Sequence, residues 1–131
     1  MKANELRIGN YLQDQNGNFL LVIHISTESI QTTVLDRSKY PLPNGWQMQP
    51  IPLTPDILEK CGFVKQNNGW NKNKKSPYDE NCFGLFDHNY CSGELDLKYN
   101  VGNGPIPSIL YLHQLQNLYF ALTGEELEVK L

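Results

Sequence analysis

No run of apolar residues in this chain approaches the roughly 18 that a membrane-crossing helix needs. Its first ten residues, MKANELRIGN, lack the apolar stretch of a secretory signal, so export is not expected. Cysteine is scarce: three in 131 residues, an odd count that makes no complete disulfide framework. A reducing, cytoplasmic setting is therefore the expectation. Charge is scarce too. Asp, Glu, Lys and Arg make up 19%, the net charge is −3 and the pI about 5.5. That balance gives no overall attraction to a phosphate backbone and argues against nucleic acid as a partner. There is no internal repeat, no heptad pattern and no nucleophile elbow. What is present is 40% hydrophobic and rich in Asn, Gln, Tyr and Gly, which suits a packed domain and not a disordered tail. The length predicts one domain over residues 1–131, with residues 36–45 the best place for a subdivision.

The pattern predicts an α+β fold: a small, bent, SH3-like antiparallel sheet, one short helix and one long C-terminal helix. Arg7 to Leu12 reads as a strand. Asn16-Gly17 is a hairpin signal, and Phe19 to Ile25 (FLLVIHI) reads as a second strand, apolar enough to be covered on both faces. Ile30, Thr32 and Val34 alternate as a third. Trp46 to Leu53 reads as a short edge strand. Thr54 then caps a small helix, with Pro55 at its first position, Asp56 at its positive end, Ile57, Leu58 and Cys61 inward, and Gly62 as its stop. Asn67-Asn68-Gly69 is a second hairpin signal before Trp70, and Cys82 to Asp87 and Gly93 to Tyr99 are further strands. Val101 to Pro107 reads as a Gly/Pro linker. The long helix is expected from a Ser108 N-cap to Gly124, burying Tyr111, Leu112, Leu115, Leu118, Tyr119 and Leu122. Leu127, Val129 and Leu131 alternate as a closing strand.

Three blocks carry a resemblance. ELRIGNYL at 5–12, PIPLTPDILEKCGF at 50–63 and YLHQLQNLYFALTGEEL at 111–127 together resemble a family of small uncharacterised proteins of Bacteroides-type gut bacteria and of their phages and mobile elements. The resemblance implies an intracellular protein associated with a phage or mobile element. It brings no activity and no site residues.

Candidate chemistry is thin. Cys61, Cys82, His88 and Cys91 have the residue types for zinc but not the paired spacing, so no metal is expected. Cys82 or Cys91 with His88 and Asp87 lacks the context of a nucleophilic site, and neighbouring strand residues face opposite ways. Gly102-Asn103-Gly104 precedes a helix, but Pro105 and Pro107 remove the N–H donors that a phosphate cradle needs. Lys72, Lys74 and Lys75 beside Trp70 read as a solvated tip, and His24 as a structural residue of its strand. No catalytic residue and no cofactor is expected.

Two sets of residues remain. Ile109, His113, Gln116 and Phe120 form a second stripe on the long helix, read as an interface candidate. The reading is of a non-enzymatic binding or adaptor protein whose partner is a host or phage protein, with homo-oligomerisation the other use of that stripe. Trp70, Tyr78, Phe83, Phe86 and Tyr90 are the pocket candidate of the alternative, a small-molecule or nucleotide-sequestering anti-defence protein.

Overall fold

A computed structural model describes residues 3–35, 47–66, 69–72, 83–87, 97–98, 100–101, 104–105 and 108–131. The fold is α+β. After a 3-10 turn at Ala3–Glu5 come β1 (Tyr11–Gln13), β2 (Phe19–Ile25) and β3 (Ile30–Val34), then α1 (Pro55–Lys60). β4 (Val64–Gln66), β5 (Gly69–Lys72), β6 (Phe83–Asp87) and β7 (Leu97–Lys98) follow, then β8 (Asn100–Val101), β9 (Gly104–Pro105) and α2 (Leu112–Thr123). β1-β2-β3 is an antiparallel meander, as its hairpin signals predict, and β4-β5-β6-β7 is a second antiparallel sheet. Val101 to Pro107, expected as a linker, holds Val101 of β8 and both residues of β9, which pair with each other as a small antiparallel ribbon.

The first hairpin forms around the Asn16-Gly17 signal, with Gln13 opposite Phe19, but that pair is not the centre of its turn. Gly17 N–H donates to the Asp14 carbonyl, so Gln15 and Asn16 are central and Gly17 supplies the positive φ of 82° at the exit. The Asp14 side chain organises the loop: its carboxylate accepts from Asn16 N–H, Asn18 N–H and the Asn18 amide. Burial alone would raise that carboxyl's pKa, but the hydrogen bonds from Asn18, Asn16 and Gly17 outweigh it and hold the pKa below the ordinary carboxylate value.

α1 follows its local code. Thr54 Oγ1 accepts from Ile57 N–H at 3.3 Å, and Pro55 opens the helix. At the other end Gly62 adopts φ 86°, its N–H donates to the Glu59 carbonyl, and Phe63 N–H donates to the Leu58 carbonyl. That is a Schellman close, completed by Leu58 and Phe63 both buried in one cluster.

The larger core gathers Ile51, Leu53, Leu58, Phe63, Trp70, Leu85, Leu97, Leu112, Leu115, Tyr119 and Leu127, with further residues around them. A smaller cluster of Leu6, Leu12, Leu20 and Val22 lies against the meander.

Several expectations are corrected. α2 begins at Leu112, not after a Ser108 cap, because the N–H groups that would start it are used elsewhere. Ile109 N–H donates to the Leu97 carbonyl and Leu112 N–H to the Ile51 carbonyl, while the Leu110 carbonyl accepts from Leu53 N–H. Long-range pairing holds 109–111 extended, and Gln114 Oε1 then caps the helix by accepting from the N–H groups of Leu110 and Tyr111. Gly124 ends it at φ 75°, as expected. Leu122 is exposed and not buried, because the helix runs past its core from Phe120 onward. The first strand starts at Tyr11 and not Arg7. β2 is covered only in part: Ile23 and His24 are exposed where a register shift between Val22 and His24 bends the strand. Residues 47–53 and 127–131 form no strand; the former make only isolated bridges, and Lys130 N–H reaches the Lys60 carbonyl.

Candidate functional site

The helix stripe is mostly a seam inside the molecule. Ile109, His113 and Gln116 are buried, so as a surface they are ruled out; Phe120 is the exposed member, at 40%. Ile109 bridges Leu97 and belongs to the larger core.

Gln116 does something a sequence does not announce. Its Oε1 accepts from Tyr11 N–H at 2.9 Å and its Nε2 donates to the Gly9 carbonyl at 3.0 Å. One side-chain amide thereby fills the outer edge of β1 where another strand would pair. Further along that edge, Gln13 and Gln49 exchange both backbone hydrogen bonds. A strand edge left open invites pairing with other chains; here two glutamines, one by side chain and one by backbone, close it.

The next residue extends the seam. Asn117 Oδ1 accepts from Asn10 Nδ2 at 2.9 Å and Arg7 Nη1 at 3.2 Å, and its Nδ2 donates to the Glu5 carbonyl. Asn10, fully buried, accepts from Arg7 N–H. Each buried polar group is thus paired, as burial requires.

His113 is the exception. Its ring is 1% exposed and stacks on Tyr111 at a centroid distance of 5.9 Å, yet neither ring nitrogen has a hydrogen-bond partner. Burial pushes its pKa below the ordinary value; Glu5 pulls the other way, more weakly, and the N-terminal charge adds to the lowering. Burial thus favours the neutral imidazole.

The surface part of the seam is Arg7 with Phe120. The guanidinium lies 4.1 Å from the ring centroid, a cation–π arrangement, and is also held by Asn117 and by an ion pair to Glu126. Gly9 N–H donates to the Val22 carbonyl, which brings the chain at Ile8 alongside Ile23; both are exposed, at 60% and 48%.

The aromatic pocket candidate is divided. Trp70 is buried in the larger core, on β5 opposite Leu85, so its ring packs the interior. Phe83 and Phe86 are placed on β6 by their backbone, opposite Lys72 and Gly69. Tyr78 and Tyr90 lie outside the described residues, as do Cys82, His88 and Cys91. Cys61 is buried under α1, and burial pushes its thiol pKa up to about 12, partly opposed by Lys72, so it is no thiolate nucleophile. Among the described residues, no group of His, Cys, Asp and Glu could hold a metal ion, and no helix is long and apolar enough to cross a membrane.

Sequence reasoning missed Arg7, Asn10, Asn117 and Glu126. The available signal was the polar pair Gln116-Asn117 one turn before Phe120, read as the solvated side of the helix. No protein-family model, curated protein or solved structure matches the chain.

Proposed function

We propose that this chain is a non-enzymatic binding protein, an adaptor that meets a host or phage protein through the surface carrying Arg7 and Phe120, with Ile8 and Ile23 extending it. The observation that carries this is the stacked, multiply anchored Arg7 on an exposed Phe120. Arginine and aromatic side chains supply most interface hot spots, and a guanidinium already held in place loses less rotamer freedom on binding. Exposed Ile8, the residue after Arg7, and exposed Ile23 add apolar area. Origin in a phage or mobile element, and a cytoplasmic setting, belong to the same proposal and rest on the three resembling blocks. The SH3-like form of the meander is also part of this reading, supported by the β1-β2-β3 order and the bend at Ile23.

The test is crosslinking in the native cell, with a photo-reactive residue at Ile8 and a control at exposed Glu59. The expected result is one protein species captured from position 8 only, with Phe120→Ala reducing its yield and weakening the purified complex about tenfold or more. Capture of nothing, or of the same species from both positions, overturns the proposal. A second copy of this chain as the captured species replaces the adaptor by a homo-oligomer.

A further inference from the structure

On the far side of the larger core, a pocket of about 170 Å³ opens between the end of α1, strand β5 and the C-terminal segment. Lys60, Lys72 and Lys130 line it, one from each of those elements. Buried Leu127 anchors the C-terminal segment, and Lys130 N–H donates to the Lys60 carbonyl at 2.9 Å, so two of the walls are tied together. Glu59 and Glu128 also line the pocket, but neither forms an ion pair with Lys60, Lys72 or Lys130. None of these three ammonium groups is neutralised by a carboxylate at ion-pair distance, and three cations against two carboxylates leave an excess of positive charge.

Lys72 is pre-positioned. Its Nζ donates to the Cys61 carbonyl at 2.8 Å, which uses one of three N–H groups and leaves two to donate. The ammonium lies over Gly62, where a Cβ would come within 2.6 Å of that nitrogen. The neighbouring Cys61 thiol stays protonated, since burial raises its pKa to about 12, and adds no negative charge to the wall.

We propose that this pocket binds a phosphate-class dianion, bridged by Lys60, Lys72 and Lys130. Its volume suits a phosphate group, so a nucleoside carried on that phosphate would lie outside the pocket. The bound anion ties the C-terminal segment to α1 and β5.

Calorimetric titration at fixed ionic strength tests this, with inorganic phosphate in one arm and a nucleoside monophosphate in the other. Saturable binding with a dissociation constant of about 1 mM or tighter is expected in at least one arm, and the tighter arm identifies the source. Lys60→Gln and Lys130→Gln alter exposed side chains, so the fold persists, and each weakens binding about tenfold through loss of one charge-assisted contact. Lys65→Gln, on β4 and outside the lining, leaves it unchanged. No saturation by about 10 mM in either arm, weaker than any constant that three such contacts would give, overturns the proposal. So does equal binding by the Lys60 and Lys130 variants and the parent. The site and the Arg7–Phe120 surface are tested separately, and either stands if the other falls.

Discussion

Gln116 and His113 sit within a turn of each other on α2 and are buried to the same extent, but their chemistry is opposite. The Gln116 amide is satisfied on both sides. Gln116→Ala would leave Tyr11 N–H and the Gly9 carbonyl without partners at a covered edge, and we predict a loss of about 1–3 kcal/mol by chemical denaturation. His113 pays desolvation at two nitrogens with no bond in return. His113→Phe, which keeps a flat ring against Tyr111, is expected to raise stability by about 1 kcal/mol or more. The same residue sets a pH dependence. Its folded pKa is depressed, so the unfolded chain takes up the proton first. Stability from this group is full above the unfolded value of about 6.5 and falls as pH drops below it. Melting temperature measured between about pH 7.5 and 5 should decline in the parent and much less in His113→Phe; parallel curves would show that His113 is not the group responsible. None of this was legible in the sequence. A histidine and a glutamine three residues apart look alike on a helical wheel, and what distinguishes them is a strand edge more than a hundred residues away.

At the scale of elements, legibility follows the range of the interactions. α1 was readable from Thr54 to Gly62 because its start and stop signals are local. Thr54→Ala should therefore cost about 1 kcal/mol, seen as a lower denaturation midpoint. The first hairpin was readable in register but not in turn type, because the Asp14 carboxylate, not the Asn-Gly pair, arranges the loop. Asp14 contributes stability that is present above the unfolded carboxyl pKa and lost as pH falls through its lower folded value. The start of α2 could not be read, since a serine cap at 108 loses to pairing with Leu97, Ile51 and Leu53. Nor could its end: periodicity gives the angle of Leu122 but not where the core stops. Leu115→Ala should cost roughly 2–5 kcal/mol and Leu122→Ala less than about 0.5, a contrast that one pair of unfolding curves checks.

For the whole molecule, the polar seam between α2 and residues 5–11 is the feature with the widest reach. Its hydrogen bonds join positions 105 to 112 residues apart, where the larger core joins segments by apolar packing. Phe120→Ala should leave the melting temperature within about 3 °C of the parent, since the ring is exposed and its main partner, Arg7, keeps Asn117 and Glu126. A larger fall would place the ring in the fold's own support and remove the surface from consideration as an interface.

The order of synthesis gives that seam a further meaning. The meander is made first, but the amide that closes β1's edge at Tyr11 belongs to residue 116, 105 residues later in the chain. We predict that nascent chains stalled before that codon carry an unsealed β1 and cross-pair or recruit a holdase, whereas chains that include α2 do not. Comparing sedimentation of ribosome-free chains ending at residue 100 with chains that run through residue 131 would show it, and equal solubility of the two would mean that the edge is protected in another way during translation.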